Sequence, residues 1–236
     1  MIKQQYLYII SLVLISMNSF AQDNEWSIYH NDNNGSFNIE SSDGEYKFSP
    51  GGRFTFDGGF FDQDITPLSA GTMVREMRIN SAFKVKNMNI FVDVDFAGSK
   101  VSMKDITLRY NFNPQSFLKV GHFVEPFAAN YLTTTEIVPF VARPATASAF
   151  APGRSLGLSY TYRNRYMWFS GGVFGNDKDQ TYEGQDGYAV TGRLVLIPIE
   201  IPNSHLHFAV SASHRTADSR GLDESGSGKY NRKLNF

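Results

Sequence analysis

The property that most limits what this chain can fold into is a period of two. From Tyr46 onward its apolar side chains recur at every second residue, and only extended backbone puts alternate residues on one face. Tyr46, Phe48, Phe54, Phe56 and Phe60 share one parity, against Glu45, Lys47, Ser49, Arg53, Thr55 and Asp57 on the other. Met77, Ile79, Phe83 and Val85 alternate with Glu76, Arg78, Asn80 and Lys84; Ile90, Val92, Val94 and Phe96 alternate with Phe91, Asp93 and Asp95. The pattern continues with Ile106, Leu108, Tyr110 and Phe112 against Asp105, Thr107, Arg109 and Asn111, then Leu118 and Val120 around Lys119. It returns in Leu156–Tyr162, Tyr188–Leu196 and Leu206–Val210. With the less regular Arg165–Phe174 segment, which carries Trp168, this predicts about nine strands and no amphipathic helix. Strands with one apolar and one polar face build either a soluble sandwich or a transmembrane barrel, and alternation alone does not choose.

The connections distinguish the two. Lys86-Asn87, Asn111–Pro114 and Arg163–Arg165 are tight, and Ile197–Ser204 is a compact turn bearing proline. At the opposite strand ends lie Asp62–Thr72, the short Ala97–Lys100, Val124–Gly153, Gly175–Asp186 and a tail from His214. Short turns at one end and long loops at the other are the asymmetry of outer-membrane barrels. Phe60, Tyr110, Tyr162, Trp168 and Tyr188 fall near strand ends, where interfacial aromatic girdles sit. The expected fold is therefore all-β, an antiparallel transmembrane β-barrel whose polar faces line a water-filled lumen.

Composition narrows the function. Lys and Arg number 22 against 23 Asp and Glu, a net charge of −1, so the basic footprint of a nucleic-acid binder is missing. The chain has no Cys, which excludes a disulfide framework, a cysteine-ligated zinc site and a thiol nucleophile. Residues 1–21 read as a secretory signal peptide, with Lys3 ahead of the apolar run Tyr6–Met17 and small residues up to Ala21. That run falls short of the roughly 20 apolar residues a spanning helix needs. The mature chain is expected to begin at Gln22 outside the cytoplasm, with a polar leader over 22–44 and the barrel domain over 45–236.

Motifs that could carry catalysis lack their structural context. Gly153-Arg-Ser-Leu-Gly157 has nucleophile-elbow spacing around Ser155, yet it opens an alternating strand instead of a strand-to-helix turn. His205 and His207 share a strand face without a third ligand. Asp93 and Asp95 read as lumen lining in preference to an acid pair or a calcium site. Gly226-Ser-Gly-Lys229 lacks the strand and helix of a phosphate loop. No catalytic residue, metal site or cofactor is expected.

Six fragments carry a family likeness: Gly51–Asp57, Phe91–Gly98, Lys104–Tyr110, Val120–Phe127, Ala149–Arg154 and Gly187–Arg193. Together, in order from about Phe48 to His214, they resemble the phosphate-selective porin O and P family. The resemblance implies a barrel of roughly sixteen strands, usually trimeric, in outer-membrane lipid. It also implies a third outer loop folded into the pore, and lumenal Arg and Lys that pass small inorganic or organic anions. Here the third outer connection, Val124–Gly153, is also the longest. Arg53, Arg78, Lys119, Arg154 and Arg193 lie in matching segments, and Arg143 lies in the expected constriction loop; Lys47, Lys84 and Arg109 complete the pore-lining candidates. With about nine strands visible, and an even number needed to close a bacterial barrel, the chain reads as an N-terminal portion. Tyr230, Leu234 and Phe236 imitate a barrel's aromatic ending, but they follow the Gly/Ser segment 221–228 and read as coincidence.

The polar parity is nearly balanced. Lys47, Arg53, Arg78, Lys84, Arg109, Lys119 and Arg193 stand against Glu45, Asp57, Glu76, Asp93, Asp95 and Asp105, so the residues by themselves show no phosphate selectivity. Arg143 and Arg154 have two readings: contacts for a passing anion, or partners of Glu125 and Glu136 that pin the loop to the wall. The functional expectation is a diffusion porin. An outer-membrane barrel hydrolase and a soluble exported β-sandwich binding protein are the alternatives.

Overall fold

Each strand of the chain turns back along its predecessor. The computed structural model describes residues 25–31, 36–62, 70–99, 101–133, 143–175, 184–185, 187–201, 204–216 and 219–220. The main sheet contains β1 (Trp26–Asn31), β2 (Ser36–Ser41), β3 (Tyr46–Gly59), β4 (Gly71–Val85), β5 (Met88–Asp95), β6 (Ser102–Asn113), β7 (Ser116–Val124), β8 (Arg154–Arg163) and β9 (Met167–Gly175). After β10 (Gly184–Gln185) it continues with β11 (Tyr188–Ile201) and β12 (Ser204–Arg215). The eleven strands pair antiparallel in chain order, and the sheet is not closed. β10 pairs separately with β13 (Ser219–Arg220).

Eleven strands exceed the expected number of about nine, because β1 and β2 lie inside the segment read as a polar leader. They escape alternation analysis because they are six residues each, short of the roughly 9–11 that cross a bilayer. β2 meets β3 only at Ile39↔Phe48 and Glu40↔Lys47. Two turns are also tighter than expected. β11 runs through Pro198 to Ile201, with a register shift between Leu196 and Ile199 where the proline has no N–H to give. β6 reaches Asn113, whose side chain accepts the N–H groups of Gln115 and Ser116 at 2.9 and 2.8 Å.

The register turns alternation into two continuous stripes. Phe48, Phe83, Ile90, Leu108, Val120, Leu158, Val173 and Val190 sit directly opposite one another across β3–β9 and β11. One residue away, Lys47, Lys84, Asn89, Arg109, Lys119, Ser159, Gly172, Thr191 and Ser213 form a parallel polar row. Burial is inverted relative to a water-soluble sheet. Among the described residues, Asp93, Asp95, Glu125, Ser155, Ser159, Thr161, Ser170 and Thr191 are buried, whereas the buried apolar set is only Phe123, Ala151, Phe174 and Ala189. Phe54, Phe56, Ile79, Val120, Leu158, Val173, Phe208 and Val210 are exposed. A sandwich buries its apolar face against a second sheet; here that face is open over the width of the sheet, which suits hydrocarbon. Trp168 departs from the girdle expectation, since its register opposite Arg163 and Val195 puts it on the polar face with Ser170.

Val120 lies midway along β7 on the apolar stripe. Val120→Arg is expected to cost the full-length protein about 2–4 kcal/mol in phospholipid vesicles, measured by urea titration. A change within about 0.5 kcal/mol is the behaviour of a water-facing site and would contradict the lipid assignment.

Candidate functional site

The described parts of the connection from β7 to β8, residues 125–133 and 143–153, build the site against the polar face. The connection leaves the sheet at Glu125, forms short helices at Ala129–Leu132 and Ala145–Phe150, and rejoins at Arg154. Tyr131, Leu132, Thr133 and Arg143 of this loop face the wall across a cavity of about 280 Å³. Arg53, Arg78, Lys119, Arg143 and Arg154, five of the nine cationic candidates, line it, with Asp93 and Asp105 the carboxylates among the lining residues. Lys47, Lys84, Arg109 and Arg193 lie elsewhere. Strand register nevertheless puts Lys47 opposite Lys84, and Arg109 opposite Lys119.

The polar-face carboxylates are taken up by ion pairs. Glu76 holds Arg53 and Arg78, each at 2.7 Å; Arg78 also reaches Asp93 at 3.2 Å and Asp95 at 3.8 Å. Asp95 pairs with Lys104 at 3.3 Å and accepts the N–H groups of Met77 and Ala97. Asp105 receives Nε and Nη2 of Arg154 at 3.0 and 2.7 Å, Asp57 pairs with Arg75 at 3.1 Å, and Glu45 pairs with Lys86 at 3.5 Å. Lys47 pairs with Glu40 at 3.6 Å and donates to the Tyr29 hydroxyl at 2.9 Å.

A second group of cations has aromatic partners in place of carboxylates. Lys119 makes no ion pair or hydrogen bond among the described residues, and its Nζ lies 4.0 Å from the centre of the Phe123 ring. Arg109 lies 5.0 Å from the ring centre of Phe117. Arg143 lies 4.7 Å from that of Tyr131 and donates to the carbonyls of Asn130 and Thr133 at 2.8 and 3.2 Å. Burial draws the Arg143 guanidinium below its ordinary pKa, but an arginine remains charged at any pH a porin meets. A ring face attracts a cation without cancelling its charge. The Phe123 platform depends on two glycines. Gly121 holds φ +134°, where an added Cβ would fall 2.1 Å from the Ile106 carbonyl oxygen. A Cβ on Gly157 would fall 2.3 Å from the Phe174 ring, which packs edge-on against Phe123 at 5.5 Å.

The loop is pinned through Glu125, but not by Arg143 or Arg154. Arg154 pairs with Asp105 and Arg143 bonds within the loop, so neither holds Glu125; Glu136 lies outside the described residues. Glu125 is fully buried and gathers three strands: it accepts from Ser155 on β8 at 2.7 Å, from Thr191 on β11 at 2.6 Å, and from Arg215 on β12. Two residues on, the Phe127 carbonyl accepts from Arg193 at 2.7 Å and from Ser211 at 2.6 Å. Arg193 thus serves as a loop anchor. Arg215 escaped the sequence reading because the last strand was taken to end before His214; extending its Ser211, Ser213 parity by one step would have found it. Ser155 bonds a carboxylate and no histidine, and no cluster of metal-ligating side chains exists among the described residues.

Arg215→Ala leaves the Glu125 carboxylate buried without its cation, whereas Glu125→Ala leaves a part-exposed arginine that water can solvate. Arg215→Ala is therefore expected to cost about 3 kcal/mol, more than Glu125→Ala. Denaturant titration of the full-length protein checks the order. Limited proteolysis should show faster cleavage between residues 128 and 153 in both variants.

The family model for phosphate-selective porin O and P matches residues 48–236. An uncharacterized protein of Caulobacter vibrioides is 26% identical, over 73% of this chain and 38% of its own length. The chain thus spans well under half of that relative. With an apolar face open to lipid, a polar face under a pinned loop, and a match running through nearly all the long strands, the chain belongs to the phosphate-selective porin O and P family.

Proposed function

We propose that the protein is an outer-membrane porin that passes small hydrophilic solutes by diffusion and prefers anions, phosphate among them. It is exported by a signal peptide over residues 1–21 and works as a homotrimer of complete barrels. The observation that carries the anion preference is the division of the polar face into neutralised and unneutralised cations. Arg53, Arg78 and Arg154 sit in carboxylate pairs, whose fields fall off as those of dipoles. Arg109, Lys119 and Arg143 sit on aromatic rings and, among the described residues, have no carboxylate in ion-pair contact.

The positive potential of the lumen then comes from the second group, although the count of charges by parity is nearly even. A phosphate entering between the loop and the wall exchanges part of its hydration shell for N–H donors of Lys119 and Arg143. Passage stays fast because such a site is shallow and others follow it: Arg109 is one residue pair further along the same register row. Arginine adds a planar fork that can hold two phosphate oxygens. The ion pairs have a separate task, holding the wall rigid beneath the loop. Among the described residues Ser155 bonds no histidine, and the Glu125 carboxylate that it does bond is tied up by Thr191 and Arg215, which favours the pore over the hydrolase alternative.

The test is reversal potential under a salt gradient, with the full-length protein in planar bilayers. A unit charge about 8 Å from a permeating ion in water is worth ~0.5 kcal/mol, or about twofold in partition. Lys119→Ala and Arg143→Ala should each lower the anion-to-cation permeability ratio by about that factor. Lys86→Ala, at an exposed turn, should leave it unchanged. Cation preference in the unmodified protein, or no change in both lumenal variants, would refute the assignment.

A further inference from the structure

We propose that the cavity between the loop and the wall selects organic anions carrying a planar apolar ring, of the aryl phosphate and aryl carboxylate class, over bare inorganic phosphate. This rests on the anion-porin reading and names the solute for that site. The observation is Phe91. It occupies the polar parity of β5, between Asn89 and Asp93, and unlike Phe117 and Phe123 on that face it serves no cation as a platform among the described residues. Its cross-strand neighbours are the small Ala82 and Thr107, and among the described residues it meets no other ring and no cation. With Val124, Tyr131 and Leu132 it gives the cavity an apolar side.

The charged lining is five cations against Asp93 and Asp105, and Lys119 there has no ion pair or hydrogen bond among the described residues to give up. A small cavity with an apolar wall and a few polar groups is the form a site takes when it binds an amphipathic molecule. The volume, about 280 Å³, suits one ring with one head group. The head group takes the N–H donors of Lys119 and its neighbouring arginines. The ring then covers Phe91, removing from water apolar surface that inorganic phosphate leaves wet.

The experiment is block of chloride current through the full-length protein in planar bilayers, with phenyl phosphate and inorganic phosphate as probes. Phenyl phosphate should half-block at a concentration about fivefold lower than inorganic phosphate. Phe91→Ala should abolish that advantage and leave block by inorganic phosphate unchanged, and Phe91→Tyr should retain it. Equal block of the unmodified protein by the two probes overturns this inference and leaves the porin reading intact. So does a Phe91→Ala variant that weakens both probes alike. A channel that prefers cations and is blocked by neither probe overturns the anion-porin reading and this one with it.

Discussion

Hydrocarbon offers no partner to an unsatisfied backbone N–H or carbonyl, and the arrangement of this chain follows from that constraint. Each long strand from β4 to β11 pairs with a strand on either side, so its hydrogen bonds are made within the sheet and side chains alone decide what each face touches. Alternation then has a meaning that it lacks in a soluble protein. The stripe from Ile90 to Val190 is exposed and apolar while carboxylates and hydroxyls are buried, an order that would be unstable in water and is stable when lipid covers one face. β1 and β2 are too short to obey the constraint across a bilayer. β2 meets β3 at only two residue pairs, and β3, with 14 residues, is the first strand of spanning length.

Fold class was legible because the signal is repeated in every long strand and a period of two has one structural meaning. Loop positions were legible for the same reason: the Val124–Gly153 connection coincides with the gap between β7 and β8. What stayed hidden depends on register, which a sequence does not print. Alternation put Arg109 and Lys119 on the polar parity but could not say that they stand opposite each other, or that Arg154 reaches back to Asp105. Arg215 was lost to a boundary error of two residues, and boundaries are where a periodic signal decays. The bulge that accommodates Pro198 was missed for a related reason: proline ordinarily marks the end of a strand, and only the partner strand reveals that pairing resumes beyond it.

The near-even charge count illustrates why tallying residues says little about a pore. Lys104, Arg75, Lys86 and Arg154 lay outside the lumenal tally, yet they pair with Asp95, Asp57, Glu45 and Asp105. These recruits neutralise carboxylates that the tally had set against Arg109 and Lys119. The potential felt by a solute depends on which charges remain after pairing, and that is a property of distances of a few ångströms.

The placement of like charges side by side follows from the same division. Lys47 opposite Lys84, and Arg109 opposite Lys119, are unfavourable neighbours on a sheet. At the turn end the conflict is relieved locally, since Lys47 turns to Glu40 and Tyr29 while Lys84 donates to the Gly44 carbonyl. Midway along the strands Arg109 and Lys119 have no such relief. They separate onto the rings of Phe117 and Phe123, which lie on the same face of β7 as Lys119, one on either side of it. A sheet built only for stability would place a carboxylate between them. Leaving the pair to aromatic rings keeps repulsion in the wall, and under the proposed function an entering anion is the species that would lower it.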